Sequence, residues 1–418
     1  MKSLVRLAGA GTRRVWLQRN QSEFRDAERE GLPRLFVDVS VIMRHDAATG
    51  IQRVVRSVWS HLEALRSADF EVTPVYAGRT HGYCYAPRDF LSRREEPTQV
   101  PVGVRPGDKF LGLDLAAHYL PCYTAQLVAW RDAGASLHFV VYDLLPLSRP
   151  DWFEPKTSHH FQRWFDTVLS LADQALCISD DVAQEFRRRI VGTAANDRIS
   201  VGRLHLSGDI AGSLPSAGVS REVQAILRSL HARPTILMVG TVEPRKAYDK
   251  ALDAFERLWA TGDNLELLVI GKSGWKTGAL QERLRIHPER RRRLQWLEDV
   301  SDEALTQFYE ASLGVFLASY DEGFGLPVVE AATHRRWALV RDLPVFRDQN
   351  LPNLKYFTDD SPDALSRDLT ALVREAKTTS PPAAKLPNWS ACVRKLVNEL
   401  GFDAGCDASG TPALRLVS

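Results

Sequence analysis

Long apolar runs, disulfide spacing and a strong charge of one sign are all missing from this sequence, and each absence removes a class of protein. No stretch reaches the roughly 20 apolar residues that cross a bilayer, so no membrane span is expected. The five cysteines (Cys84, Cys122, Cys177, Cys392 and Cys406) are scattered, odd in number and without CxxC or zinc-ligand spacing. Reduced thiols in a cytoplasmic protein fit that pattern better than a disulfide framework does. The formal net charge is only +2, so no global field points to nucleic acid. Strict repeats and low-complexity tracts are absent too.

What is present is a globular composition, 44% hydrophobic with 25% charged residues. At 418 residues the chain is too long for one ordinary core, so two domains are expected. Residues 1–32 carry Lys2, Arg6, Arg13, Arg14 and Arg19 between apolar segments too short for a secretory signal. They read as a solvated basic leader, with a surface helix touching anionic lipid as the open alternative. From Leu35 onward buried strands alternate with helices: Leu35–Ser40, Phe110–Leu113, Leu137–Tyr142 and Ala175–Ile178 read as strands. Composition turns to Gly, Ser, Ala and Pro around 211–232, and the alternation then restarts. Thr235–Val239, Leu265–Ile270, Leu294–Leu297, Leu313–Ala318 and Trp337–Val340 are the strands of that second series. The expected order is a leader (1–32), an α/β domain (33–210), a hinge (211–232), a second α/β domain (233–400) and a flexible tail (401–418). Both domains are doubly wound parallel sheets, whose ligands bind beyond the carboxyl ends of the strands.

Two segments of the second half concentrate the chemistry. After the strand ending at Ala318 comes Ser319–Glu330 (SYDEGFGLPVVE), where Gly323 and Gly325 let the backbone approach a ligand and Pro327 opens a helix. The amides of Gly325 and Leu326 head that helix, the arrangement that holds phosphate. Glu322 lies in the loop and Glu330 one turn into the helix, so two carboxylates flank one ligand-sized space. The bland alternative is a capped loop with two solvated acids. The second segment, Val239–Ala247 (VGTVEPRKA), puts Arg245 and Lys246 at a helix N-terminus, where cations are disfavoured unless an anion is bound there too. Taken alone, that pair reads as an ordinary surface pair. Together the segments face one cleft, and two cations with two carboxylates suit a nucleoside diphosphate sugar.

These segments resemble glycosyltransferase family 4, retaining enzymes of the GT-B fold with two facing Rossmann-like domains and a cleft between them. The resemblance covers roughly 35–400 and is densest from Met238 to Asp348. Glu322 and Glu330 match the family's Glu-x7-Glu motif with EGFGLPVVEA intact, and Arg245 and Lys246 match its basic phosphate motif. Thr49–Val55 (TGIQRVV), Tyr142–Leu147 (YDLLPL), Gly271–Trp275 and Arg341–Arg347 are similar to a bacterial polysaccharide-building subgroup that often uses GDP-mannose.

The resemblance implies that Lys246 and Arg245 bind the diphosphate, Glu330 the ribose, and Glu322 the transferred sugar. It places Gly50 in a loop approaching the donor phosphates or the acceptor. Two positions depart from the family: Thr241 stands where many relatives have arginine, and Tyr142 where many have histidine. Asp143 is then expected to take more of the work at the donor sugar or acceptor, a helix or turn cap being its bland alternative. The adjacent His159 and His160 make a poor metal pair. No Asp-x-Asp pair sits at a strand end, so no metal or cofactor is expected beyond the donor.

The expected function is hexose transfer, with mannose preferred, to a saccharide or lipid-linked saccharide in surface-polysaccharide synthesis. A peripheral contact with the inner membrane is left open. The alternative is a catalytically weak, sugar-nucleotide-binding subunit of a transferase complex, and Tyr142 and Thr241 motivate it.

Overall fold

The computed structural model describes residues 2–20, 31–65, 67, 69–92, 97, 99–210, 218–230 and 233–403. The tail from 404 and the hinge stretch 211–217 lie outside the described residues. The first lobe runs α1 (Lys2–Arg19), β1 (Arg34–Asp38), α2 (Gly50–Ala64), β2 (Glu71–Tyr76), β3 (Cys84–Tyr85), β4 (Lys109–Gly112), α3 (Thr124–Asp132), β5 (Ser136–Val141), α4 (Leu145–Ser148), α5 (Pro155–Leu171), β6 (Gln174–Cys177), α6 (Asp180–Ile190) and β7 (Ser200–Arg203). The second runs α7 (Arg221–Leu230), β8 (Thr235–Val239), α8 (Tyr248–Ala260), β9 (Glu266–Ile270), α9 (Gly278–Ile286), β10 (Leu294–Leu297), α10 (Asp302–Ala311), β11 (Gly314–Leu317), α11 (Leu326–Thr333), β12 (Trp337–Arg341), α12 (Pro344–Asp348), β13 (Leu354–Phe357) and α13 (Pro362–Thr378). α14 (Trp389–Glu399) follows.

The first sheet has the order β3-β2-β1-β4-β5-β6-β7 and is parallel except for β3. The second is wholly parallel, in the order β10-β9-β8-β11-β12-β13. Helices cover both faces, so strands such as β1 and β9 are buried at every residue and carry apolar runs between or beside their charged ends. In the second sheet the chain moves outward from β8 to β10 and then returns to the other side of β8 with β11. That reversal opens a crevice at the carboxyl ends of β8 and β11, the place where such sheets take ligands.

Three expectations about domain extent are corrected. The second unit does not run to 400, because α14 crosses back: Trp389, Cys392, Val393, Leu396, Val397 and Leu400 pack into the first lobe's core. The expected hinge contains α7, whose Leu227 and Leu230 belong to a core face of the second sheet. The leader is helical over Lys2–Arg19, and Trp16 packs edge-on against Tyr123 at 6.3 Å, so it is not simply solvated. Among the described residues no helix is long and apolar enough to cross a membrane.

Candidate active site in the interlobe cleft

Because β8 and β11 are hydrogen-bonded neighbours, the loops that follow them meet. After β8, Pro244 starts one 3-10 turn that ends at Ala247 in the left-handed region (φ 49°), just before α8. That turn aims Arg245 and Lys246 at the loop after β11. Arg245 Nη1 donates to Glu322 Oε2 at 2.6 Å, and Lys246 Nζ donates to Glu322 Oε1. Ser319 Oγ adds a third hydrogen bond to Oε1 at 2.8 Å, and Arg245 Nε pairs with Glu243 at 2.7 Å. All four charged side chains are largely removed from water, so each needs a partner. Burial alone would raise the Glu322 pKa, but Arg245 and then Lys246 outweigh it and hold the carboxyl at about 2. Burial and the adjacent Arg245 push Lys246 the other way, below the ordinary lysine range, against the pull of Glu322.

α11 carries the second carboxylate. Gly325 caps it at φ 82°, and a Cβ there would come within 2.4 Å of the Phe346 ring. Only glycine makes that turn without strain. At Gly323 a Cβ would meet the Tyr142 carbonyl oxygen at 2.2 Å, so the loop touches the first lobe by backbone contact. One turn into α11, Glu330 is 1% exposed and accepts from Tyr309 Oη at 2.6 Å. Its other oxygen accepts from Arg53 Nη1, on α2 of the opposite lobe, at 2.7 Å. Arg53 Nη2 also donates to Asp302 at 2.9 Å.

The opposite wall comes from the first lobe. Thr49 and Gln52 cap α2 reciprocally, which fixes Gly50 at its first turn. A Cβ on Gly50 would lie 3.5 Å from Leu326 Cδ1, so the residue sits at the seam between lobes. Tyr142 lines the cleft but donates its hydroxyl to the Leu113 carbonyl at 2.8 Å, and burial raises its pKa well above the usual phenol range. That proton is used within the first lobe, so here the Tyr142 hydroxyl serves the cleft wall. Asp143 meets both readings. It accepts from the Leu145 amide at 3.2 Å as a turn cap, and it lines the cleft, where burial raises its pKa against Arg245.

The cleft between these walls holds about 500 Å³, and it is lined by Gly50, Tyr142, Asp143, Arg245, Lys246, Glu322, Gly325, Leu326 and Glu330. The expected residues therefore converge on one cavity of the size that takes a small-molecule substrate. Among the described residues no group of three or more His, Cys, Asp or Glu side chains is arranged to hold a metal ion.

Comparison with known proteins gives this cavity a context. Residues 220–383 match the family described as Glycosyl transferases group 1. It is 36% identical over 373 residues to the Escherichia coli serotype-specific mannosyltransferase WbdA, a match covering 87% of this chain and 46% of that protein. It thus spans about half the length of the curated relatives it matches. An E. coli O-antigen chain mannosyltransferase B is 28% identical over 196 residues, covering 46% of this chain and 49% of that protein. Among solved structures, Anabaena HepE in complex with UDP and glucose superposes with a TM-score of 0.55 at 14% identity, covering 90% of this chain and 96% of that one. Sucrose-phosphate synthase from Thermosynechococcus elongatus gives 0.53 at 15%, covering 89% and 95%. The fold is GT-B.

Reading the sequence missed several residues of this cleft. Arg53 and Trp275 fall inside segments singled out above, yet nothing local marks what they reach. Glu243 stands two residues before Arg245 and gives that guanidinium its second acid. His118 and His160 line the first-lobe wall with ring centroids 4.3 Å apart, though 42 positions separate them in the chain. Burial, His118 and Lys156 push His160 down to about 4, so it is a neutral ring at physiological pH.

Proposed function

We propose that the chain is a retaining hexosyltransferase that moves mannose from GDP-mannose to a saccharide acceptor in bacterial surface-polysaccharide synthesis. One observation carries the reading: two cations and two carboxylates of the group 1 domain face a cavity closed by a second lobe. The similarity to mannosyltransferases supports mannose. Arg245 and Lys246 are paired with Glu243 and Glu322. A diphosphate brings about two further negative charges and competes for both cations. Glu322 is then free to turn to the donor sugar, where positive charge develops, while Glu330 takes the ribose hydroxyls.

In the transfer step the bond from the anomeric carbon to the phosphate oxygen breaks and a bond to the acceptor hydroxyl oxygen forms on the same face. The hydroxyl proton passes to the departing phosphate oxygen. Arg245 and Lys246 stabilise the charge left on the diphosphate, a fixed electrostatic effect worth about 3–4 kcal/mol per donor in comparable sites. Asp143 contacts the acceptor or donor sugar. No divalent cation is proposed, so turnover is expected to persist in EDTA.

Lys246→Ala and Glu322→Gln are each expected to lower kcat at least about a hundredfold in a transfer assay with GDP-mannose. Near-wild-type turnover in both variants sinks the assignment. A thermal-shift screen with GDP, UDP and ADP reads the base, since a ligand bound only by the native state raises the melting temperature. Binding of GDP-mannose with neither transfer nor slow hydrolysis favours the non-catalytic subunit reading. Flotation with anionic liposomes tests the peripheral membrane contact and, with it, a lipid-linked acceptor.

A further inference from the structure

Arg53 joins the two lobes at the place where the nucleotide reading needs a prepared carboxylate. Glu330 is almost wholly buried, and the hydrogen bond it receives from its own lobe comes from the neutral Tyr309 hydroxyl. An ionised carboxylate in that setting is costly without a cation, and the cation comes from α2 across the cleft. The contact is part of an alternating chain of charges: Asp46 pairs with Arg56 at 2.5 Å, Arg56 with Asp302 at 3.6 Å, Asp302 with Arg53 at 2.9 Å, and Arg53 with Glu330 at 2.7 Å. This anchoring fixes where the guanidinium sits. Arg53 lines the cavity, and its Nε–H is buried without a partner.

We propose that Arg53 is a positioning residue of the donor site, contributed by the lobe that does not hold the nucleotide. It fixes the Glu330 carboxylate for the ribose hydroxyls, so the ribose site is complete only when the lobes are closed. Each carboxylate oxygen can accept a second hydrogen bond beside the one it has, so ribose binds without displacing Arg53. The inference rests on the reading of Glu330 as the ribose contact, and the experiment separates the two.

The test compares the dissociation constants of GDP and 2′,3′-dideoxy-GDP by calorimetry on the full chain. Wild type is expected to bind the dideoxy form at least about tenfold more weakly, the size of one hydrogen bond to a charged group. In Arg53→Ala both ligands weaken and the ratio falls to about twofold or less. Arg53→Lys keeps the charge but not the two-way reach to Glu330 and Asp302, so its ratio is intermediate. Lys246→Ala weakens both ligands and keeps the ratio, which a general loss of binding or folding cannot mimic in reverse. A tenfold ratio retained in Arg53→Ala or in Arg53→Lys at wild-type affinity overturns the role of Arg53 alone. A wild-type ratio near one, or no GDP binding by wild type, overturns the Glu330 reading and this inference with it.

Discussion

Glu322 and Asp38 are both carboxylates taken out of water, and their neighbours drive them in opposite directions. Glu322 has two cations and is held at about 2. Asp38 has none: it accepts from the Ser40 amide and hydroxyl and from Tyr83 Oη at 2.8 Å, with Asp114 adding repulsion. Burial dominates, and its pKa rises to about 7. The consequences for stability have opposite signs. For Glu322 the folded chain binds the proton less tightly than the unfolded one, so its contribution is present above about pH 4.5 and lost as pH falls toward 2. For Asp38 the folded chain binds it more tightly, so stability is lost as pH rises from about 4 to 7. Asp38→Asn cannot lose that proton. In urea unfolding from pH 4 to 8, the stability of Asp38→Asn relative to wild type is expected to climb with pH, and a flat difference refutes the assignment. At this scale Glu322 and Glu330 were legible because their spacing and the loop between them are local. Arg53 was not, because the carboxylate it serves lies 277 positions away.

α14 is the element whose place follows least from its position in the chain. Its apolar stripe of Trp389, Cys392, Val393, Leu396 and Val397 announces an amphipathic helix, and Asn388 caps it by accepting from the Ala391 amide at 2.8 Å. A stripe states that a face must be covered but not by what. The structure covers it with α2 and β7 of the first lobe, and Trp389 Nε1 donates to the Asp209 carbonyl at 2.9 Å. Trp389→Ala is expected to destabilise the first lobe by about 3–5 kcal/mol through the cavity it leaves. Chemical denaturation followed by fluorescence of the remaining tryptophans checks this, and a loss below about 1 kcal/mol contradicts the packing. The strands show a related split. β8 and β10 have the bounds that their apolar runs imply, whereas β2, β7 and β13 were not foreseen. β2 contains Pro74 and β7 contains Gly202, residues that weaken a strand pattern unless tertiary pairing overrides them.

The whole molecule is held closed on two sides of its cavity. On one side stands the charge chain through Arg53. On the other, Trp275 Nε1 donates to the Trp152 carbonyl at 2.8 Å, Phe153 stacks on Trp275 at 5.9 Å, and Trp152 stacks on Tyr320 at 6.3 Å. Trp275 touches little of either lobe's main core, so its contacts bear mainly on how the lobes meet. Trp275→Ala removes an aromatic pair and a hydrogen bond, together about 2 kcal/mol of bias toward the closed form. Small-angle scattering is expected to show a larger radius of gyration, with a raised donor KM and an almost unchanged melting temperature. An unchanged radius would mean that the aromatic cluster does not govern closure.

Helix and strand periods, glycines at tight turns and the short spacings within SYDEGFGLPVVE are properties of contiguous residues. The sequence by itself therefore determined the two doubly wound sheets and the carboxylate and cation pairs of the second lobe. Which lobe takes α14, what Tyr142 does with its proton, and which cation pairs with Glu330 depend on pairings between residues tens to hundreds of positions apart. Only folding decides those, because a buried charge or an apolar face specifies the kind of partner it needs and leaves its address in the chain open.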